Sequence, residues 1–242
     1  MSRSNPTTHS NHPCQRWHDW NGERGEITYY DRQLEKNITV ADGFTFMLLD
    51  QLATVKGWHD ASDSGIHSNE VRDTKQEVLI VKAFKGGVIA EGFYATIRDR
   101  INSLGGHFTA NCYIAFRDNG LLALGSIQFK GAALSKWMDF TKENRSELYK
   151  KSIQIKGFTE GKKGRITYRT PNFHIRDITP ETNDEATTLD IELQKYLAQY
   201  FNKPKVEQSA ASTTQTDPNA DLQRAAAEAN AAHDAEDLDP PF

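Results

Sequence analysis

Cysteine is nearly absent from this chain: Cys14 and Cys112 are the only two in 242 residues. That count excludes the disulfide framework that staples small secreted domains, and a reducing cytoplasm is the expected compartment. No apolar run approaches the roughly 20 residues of a membrane helix, and the first residues lack the apolar core of a signal peptide. Apolar residues make up 37% of the chain, which is low for a compact protein. The shortage sits at the two ends. Met1 to Pro13 offer nothing to bury apart from the first residue and the prolines, and the run Ser209-Ala210-Ala211-Ser212-Thr213-Thr214-Gln215-Thr216 has neither period nor bulk. The expected organisation is a flexible arm over 1–13, one folded domain over 14–203 and an unfolded tail over 204–242.

Enzyme signatures are missing too. Gly161-Lys162-Lys163-Gly164 is too short for a phosphate-binding loop, and no Ser stands at a strand-to-helix elbow. His9, His12, Cys14 and His18 have spacings compatible with a metal but no second half-site. The chain is therefore read as non-enzymatic, with no cofactor and no resident metal.

What is present is a charge asymmetry. Glu207, Asp217, Asp221, Glu228, Asp234, Glu236, Asp237 and Asp239 stand against Arg224 alone, so residues 206–242 carry a net −7. With −4 for the whole chain, the remainder is +3. Within that remainder, Lys130 to Arg176 hold twelve basic residues against Asp139, Glu143, Glu147 and Glu160. A basic body with an acidic tail suits a protein whose tail competes with a polyanion for one surface; a merely solvated basic face is the plain alternative.

Periodicity predicts a mainly β domain. Strands are expected over Glu26–Tyr30, over Phe44–Leu49 with Leu52–Trp58 as one bent strand, and over Glu77–Phe84. Ile89, Phe93, Ile97 and Ile101 recur every four residues and predict a helix, stopped by Gly105-Gly106. His107–Phe116 and Leu121–Lys130 flank Asp118-Asn119-Gly120, the clearest hairpin. A helix over Ala132–Asn144 follows, then a second hairpin pairing Ser152–Phe158 with Arg165–Ile178 around Glu160–Gly164, and a last helix over Asn183–Phe201. Three strands, a helix and two strands is the order of an OB-fold, so the expected fold is an OB-fold-like β-barrel with added helices and an extra hairpin.

The last six residues, Asp237-Leu238-Asp239-Pro240-Pro241-Phe242, place an apolar ring and a carboxylate after two prolines that bias the backbone towards an extended form. Such a segment fits a pocket with a basic rim and an apolar hole, and little entropy is lost on docking. It resembles the C-terminal tip of bacterial single-stranded-DNA-binding proteins, matching at Asp237, Asp239, Pro241 and Phe242 and departing at Leu238 and Pro240. The layout of domain and acidic tail is similar to that of phage replication single-stranded-DNA-binding proteins of the T7 type. The resemblance implies a protein that coats single-stranded DNA in replication, recombination or repair inside a bacterial cell, and recruits replication or repair proteins through Asp237, Asp239, Pro240, Pro241 and Phe242. A homo-oligomer is compatible with it.

A general single-strand binder needs cations for phosphates and flat side chains on which bases stack. The densest set that interleaves them is Lys151, Lys156, Phe158, Lys162, Lys163, Arg165, Tyr168, Arg169, Phe173 and Arg176. Strand alternation groups Arg165, Thr167 and Arg169 on one side, and Ile166 with Tyr168 on the other, where Tyr168 and Phe173 are equally suited to packing. A second set is Tyr113, Phe116, Arg117, Phe129 and Lys130; Lys56, Arg72 and Lys75 suit phosphate contact. Near the N-terminus, Trp17 and Trp20 are better placed to plug the barrel. Two other functions stay open. Asp60, Asp63, Glu70 and Asp73 suggest a magnesium-dependent nuclease, although Val71 stands where a calcium loop needs its last carboxylate. The basic hairpin also suits an RNA- or protein-binding module.

Overall fold

The structure is a computed structural model that describes residues 12–202. Nearly all of the expected arm, and the whole tail with Asp237, Asp239, Pro240, Pro241 and Phe242, lie outside the described residues. The domain is mainly β. Its strands are β1 (Arg16–Asn21), β2 (Glu26–Asp31), β3 (Lys36–Thr39), β4 (Phe44–His59), β5 (Ser64–Ser68), β6 (Leu79–Ala83), β7 (Gly87–Gly92), β8 (Gly106–Asp118), β9 (Leu121–Lys130), β10 (Ser152–Lys163) and β11 (Ile166–Arg176). Three helices join them: α1 (Tyr94–Ser103), α2 (Gly131–Glu143) and α3 (Pro180–Asn202). Among the described residues no helix is long and apolar enough to cross a membrane.

The strands run β3-β2-β1-β9-β8-β4-β5-β6-β7 across one sheet, with β1 parallel to β9 and the other pairs antiparallel. The sheet is mixed and does not close into a barrel, because β3 and β7 end the path without meeting. It branches instead. The start of β4 pairs with β10 at Phe44–Phe46, whereas its end pairs with β5 at Lys56–His59. β4 and β8 are buried on both faces for much of their length, which is why their sequences read as nearly continuous apolar runs.

The back face carries Phe46, Leu48, Ala110, Cys112, Ile114 and Phe116, covered by Trp137 of α2 and by Ile153 and Ile155 of β10. At the other end α1 closes the same face, with Ile97 and Ile101 against Val55, Ile66, Leu79 and Val81. On the front face α3 lays Ala186, Leu193 and Leu197 on Met47, Leu52, Ala115, Tyr113 and Leu124. The front face beyond Tyr113 carries Thr54, Lys56, Trp58, His67, Lys82 and His107.

Several expectations need correction. The helix predicted from Ile89 begins at Tyr94, because Gly92 takes a φ of 150° and Ile89 and Ala90 instead pack a short strand against β6. Ser64–Ser68, between the acids Asp63 and Glu70 and not among the expected strands, is β5. The second hairpin is longer than predicted: Glu160 to Lys163 continue β10 and the turn is at Gly164-Arg165. The first hairpin has the predicted turn, with Asn119 at φ 50° and Gly120 at 88°. β4 is one strand across both predicted segments, with an irregularity between Leu48 and Asp50.

Candidate nucleic-acid interface

Register places side chains on faces, and paired residues of antiparallel strands share one. His107 of β8 is opposite Lys56 of β4, Lys56 opposite His67 of β5, and His67 opposite Lys82 of β6. These four basic residues therefore form a row on the front face, perpendicular to four adjacent strands. At about 4.8 Å per strand the row is roughly 14 Å long. All four are half-buried, and the His67 ring turns its Nδ1 into the protein.

One step along the strands, Lys130 of β9 is opposite Thr109, and Thr109 is opposite Thr54. Thr54 and Thr109 are buried between the two lines of longer side chains. Burial presses the Lys130 ammonium below its usual pKa, Asp19 pulls it up, and Lys56 pushes it down. Lys56 also neighbours Glu70, whose carboxylate turns inward to accept hydrogen bonds from Asn111 Nδ2 at 2.5 Å and the Tyr113 hydroxyl at 2.6 Å. Burial raises the pKa of Glu70, and those two bonds and Lys56 only partly offset it. Glu70 thus marks the border between the half covered by α3 and the open half, and the Tyr200 hydroxyl of α3 accepts the Glu70 N–H at 2.8 Å.

An aromatic group adjoins the row. The Phe84 ring stacks on the His67 imidazole at 4.3 Å with a 28° tilt, and Phe84 remains 39% exposed. Trp58, two residues along β4 from Lys56, is half-buried on the same face.

Of the residues singled out from sequence, Lys56 and Lys130 belong to this face. Tyr113, Phe116 and Phe129 do not offer a ring to a base: each is enclosed, Tyr113 under α3 and the other two in the back core. Phe173 packs against Phe129, Trp137 and Phe140. Arg72 makes a two-point pair with Asp50 at 2.7 and 3.0 Å, and Lys75 is exposed in the following turn. Arg117 bonds the Gly120 carbonyl and Thr182 at the first hairpin's turn.

The β10–β11 hairpin leaves β4 at Phe46, ten residues and roughly 33 Å from Lys56, and curls onto the back. Its cations are a separate set. Lys162, Lys163 and Arg165 are exposed at its tip and Lys156 on its strand, whereas Lys151 pairs with Glu147 and Asp177. Tyr168 lies across Gly161. Arg169 is anchored rather than presented: it bonds the Glu23 carbonyl and Glu160, and its guanidinium covers the Phe158 ring at 5.3 Å.

The acids of the expected nuclease loop diverge. Asp60 begins a short 3-10 helix, Asp73 accepts the Lys75 N–H, and Glu70 points into the sheet. Among the described residues no three His, Cys, Asp or Glu side chains gather as a metal site. Sequence reasoning missed His67, Lys82, His107, Trp58 and Phe84. Alternation along β4 marks the face of Lys56, but only the pairing of β5 shows what stands beside it. Comparison with protein-family models, with curated proteins and with solved structures found no match.

Proposed function

We propose that this protein binds single-stranded DNA without chemical change, its phosphates lying along the His107–Lys56–His67–Lys82 row. The row is the observation that carries the reading: four basic side chains in register across a sheet face give a strand a direction, perpendicular to the β-strands. Phosphate contacts of this kind hold any sequence, as a coating protein requires. Treating the curled β1–β9–β8–β4–β10 segment as OB-fold-like belongs to the same proposal, as do recruitment of replication or repair proteins by the Asp237–Phe242 tip and a bacterial or phage setting.

The test is a titration of labelled single-stranded and duplex DNA of equal length, without metal. Binding should favour the single strand. Equal affinity for the two across a salt series contradicts the reading, and loss of label length on adding magnesium points to the nuclease instead.

A further inference from the structure

We propose that the Phe84 ring is the base-stacking platform of this interface, taking one unpaired base on the ring surface turned away from His67. The inference rests on the single-strand reading and adds to it the contact made by a base. Phe84 directly follows β6, and its N–H bonds to the Gly65 carbonyl at 3.1 Å, which sets it beside Gly65 on the front face. Gly65 is opposite Trp58 on its other side. No side chain therefore rises between Phe84 and Trp58 at this level of the sheet.

One side of the Phe84 ring rests on His67, and the residue as a whole is 39% exposed. His67 fixes the ring's tilt and is itself a member of the row. Gly65 and His67 are two residues apart on β5, so the platform lies about 6.6 Å along the strands from the row. That offset lets one nucleotide reach both: its phosphate on Lys56, His67 and Lys82, its base on Phe84. An apolar ring held half-open beside cations suits an occupant that is flat and anionic at once.

The test uses the full chain with three variants, Phe84→Leu, Phe84→Tyr and Phe84→Ala, and two oligonucleotides of one length, one with bases and one with abasic positions. Phe84→Leu keeps apolar bulk but removes the flat ring. It should weaken binding of the base-bearing strand about five- to 150-fold, the range for one stacked base, and leave the salt dependence and the abasic strand's affinity unchanged. Phe84→Tyr should bind like the parent. Thermal unfolding at the parent's temperature separates this loss from misfolding in Phe84→Ala. The platform is overturned if Phe84→Leu binds the base-bearing strand as tightly as the parent, or loses as much affinity for the abasic one. A parent that shows no preference for single strands overturns the functional reading itself, whereas a parent that prefers them with an unaffected Phe84→Leu overturns only the platform.

Discussion

Two ionisable residues inside the sheet, His18 and Glu70, contribute to the pH response of the fold in opposite directions. His18 is buried among Tyr29, Phe44 and Phe116, with Nδ1 3.0 Å from the Ser126 carbonyl, and burial holds its pKa down at about 4. The unfolded chain binds the proton more readily, so stability present above about pH 6.5 is lost as pH falls towards 4. His18→Phe keeps the ring packing and should flatten the stability curve over that window, as read by urea unfolding at several pH values. Glu70 has its pKa raised by burial, so the sign reverses: stability falls as pH rises through the carboxyl range. Glu70→Gln should remove that loss. Glu70→Ala should instead destabilise by about 1–3 kcal/mol for each group, Asn111 Nδ2 and the Tyr113 hydroxyl, left buried without its acceptor.

At the scale of elements, the β10–β11 hairpin tests whether sequence density of charge or placement of charge decides binding. Lys162→Ala, Lys163→Ala and Arg165→Ala together should leave the salt dependence of DNA affinity almost unchanged, because the hairpin leaves β4 at Phe46, ten residues from Lys56, and none of the three belongs to the row. Arg169→Ala should loosen the hairpin by roughly 1–2 kcal/mol, since its bonds to Glu23 and Glu160 and its cover on Phe158 are lost together. Limited proteolysis at the tip reads that loosening. The hairpins, the long β4 and all three helices were legible because Asn119-Gly120, the apolar runs and the four-residue spacing act locally. Closure and the site were not. β5 is short and polar, with Ser64, Gly65, His67 and Ser68, and is a strand only because β4 and β6 flank it. The clustered cations around Lys162 were easy to see, whereas the row draws one residue from each of four strands. The same long-range pairing hid the burial of Tyr113, Phe116 and Phe129, which stand in an alternation that fits either a core or a binding face.

The whole molecule couples a basic-rowed sheet to an acidic segment of net −7. A tethered polyanion has a high local concentration at its own chain's cations and is screened by salt. Removing residues 206–242 should therefore tighten single-strand binding, most at low ionic strength, while Phe242→Ala should leave DNA affinity unchanged and abolish capture of a replication or repair protein. Weaker DNA binding without the tail would contradict that coupling. The most direct measurement is the dependence of single-strand affinity on salt for the parent and for a Lys56→Gln, Lys82→Gln double variant. Each phosphate neutralised contributes a slope of about −0.7 in log affinity against log salt. If the row carries the phosphates, the double variant binds more weakly and its slope is shallower by about 1.4, two contacts' worth; an unchanged slope would place the strand on another surface of the protein.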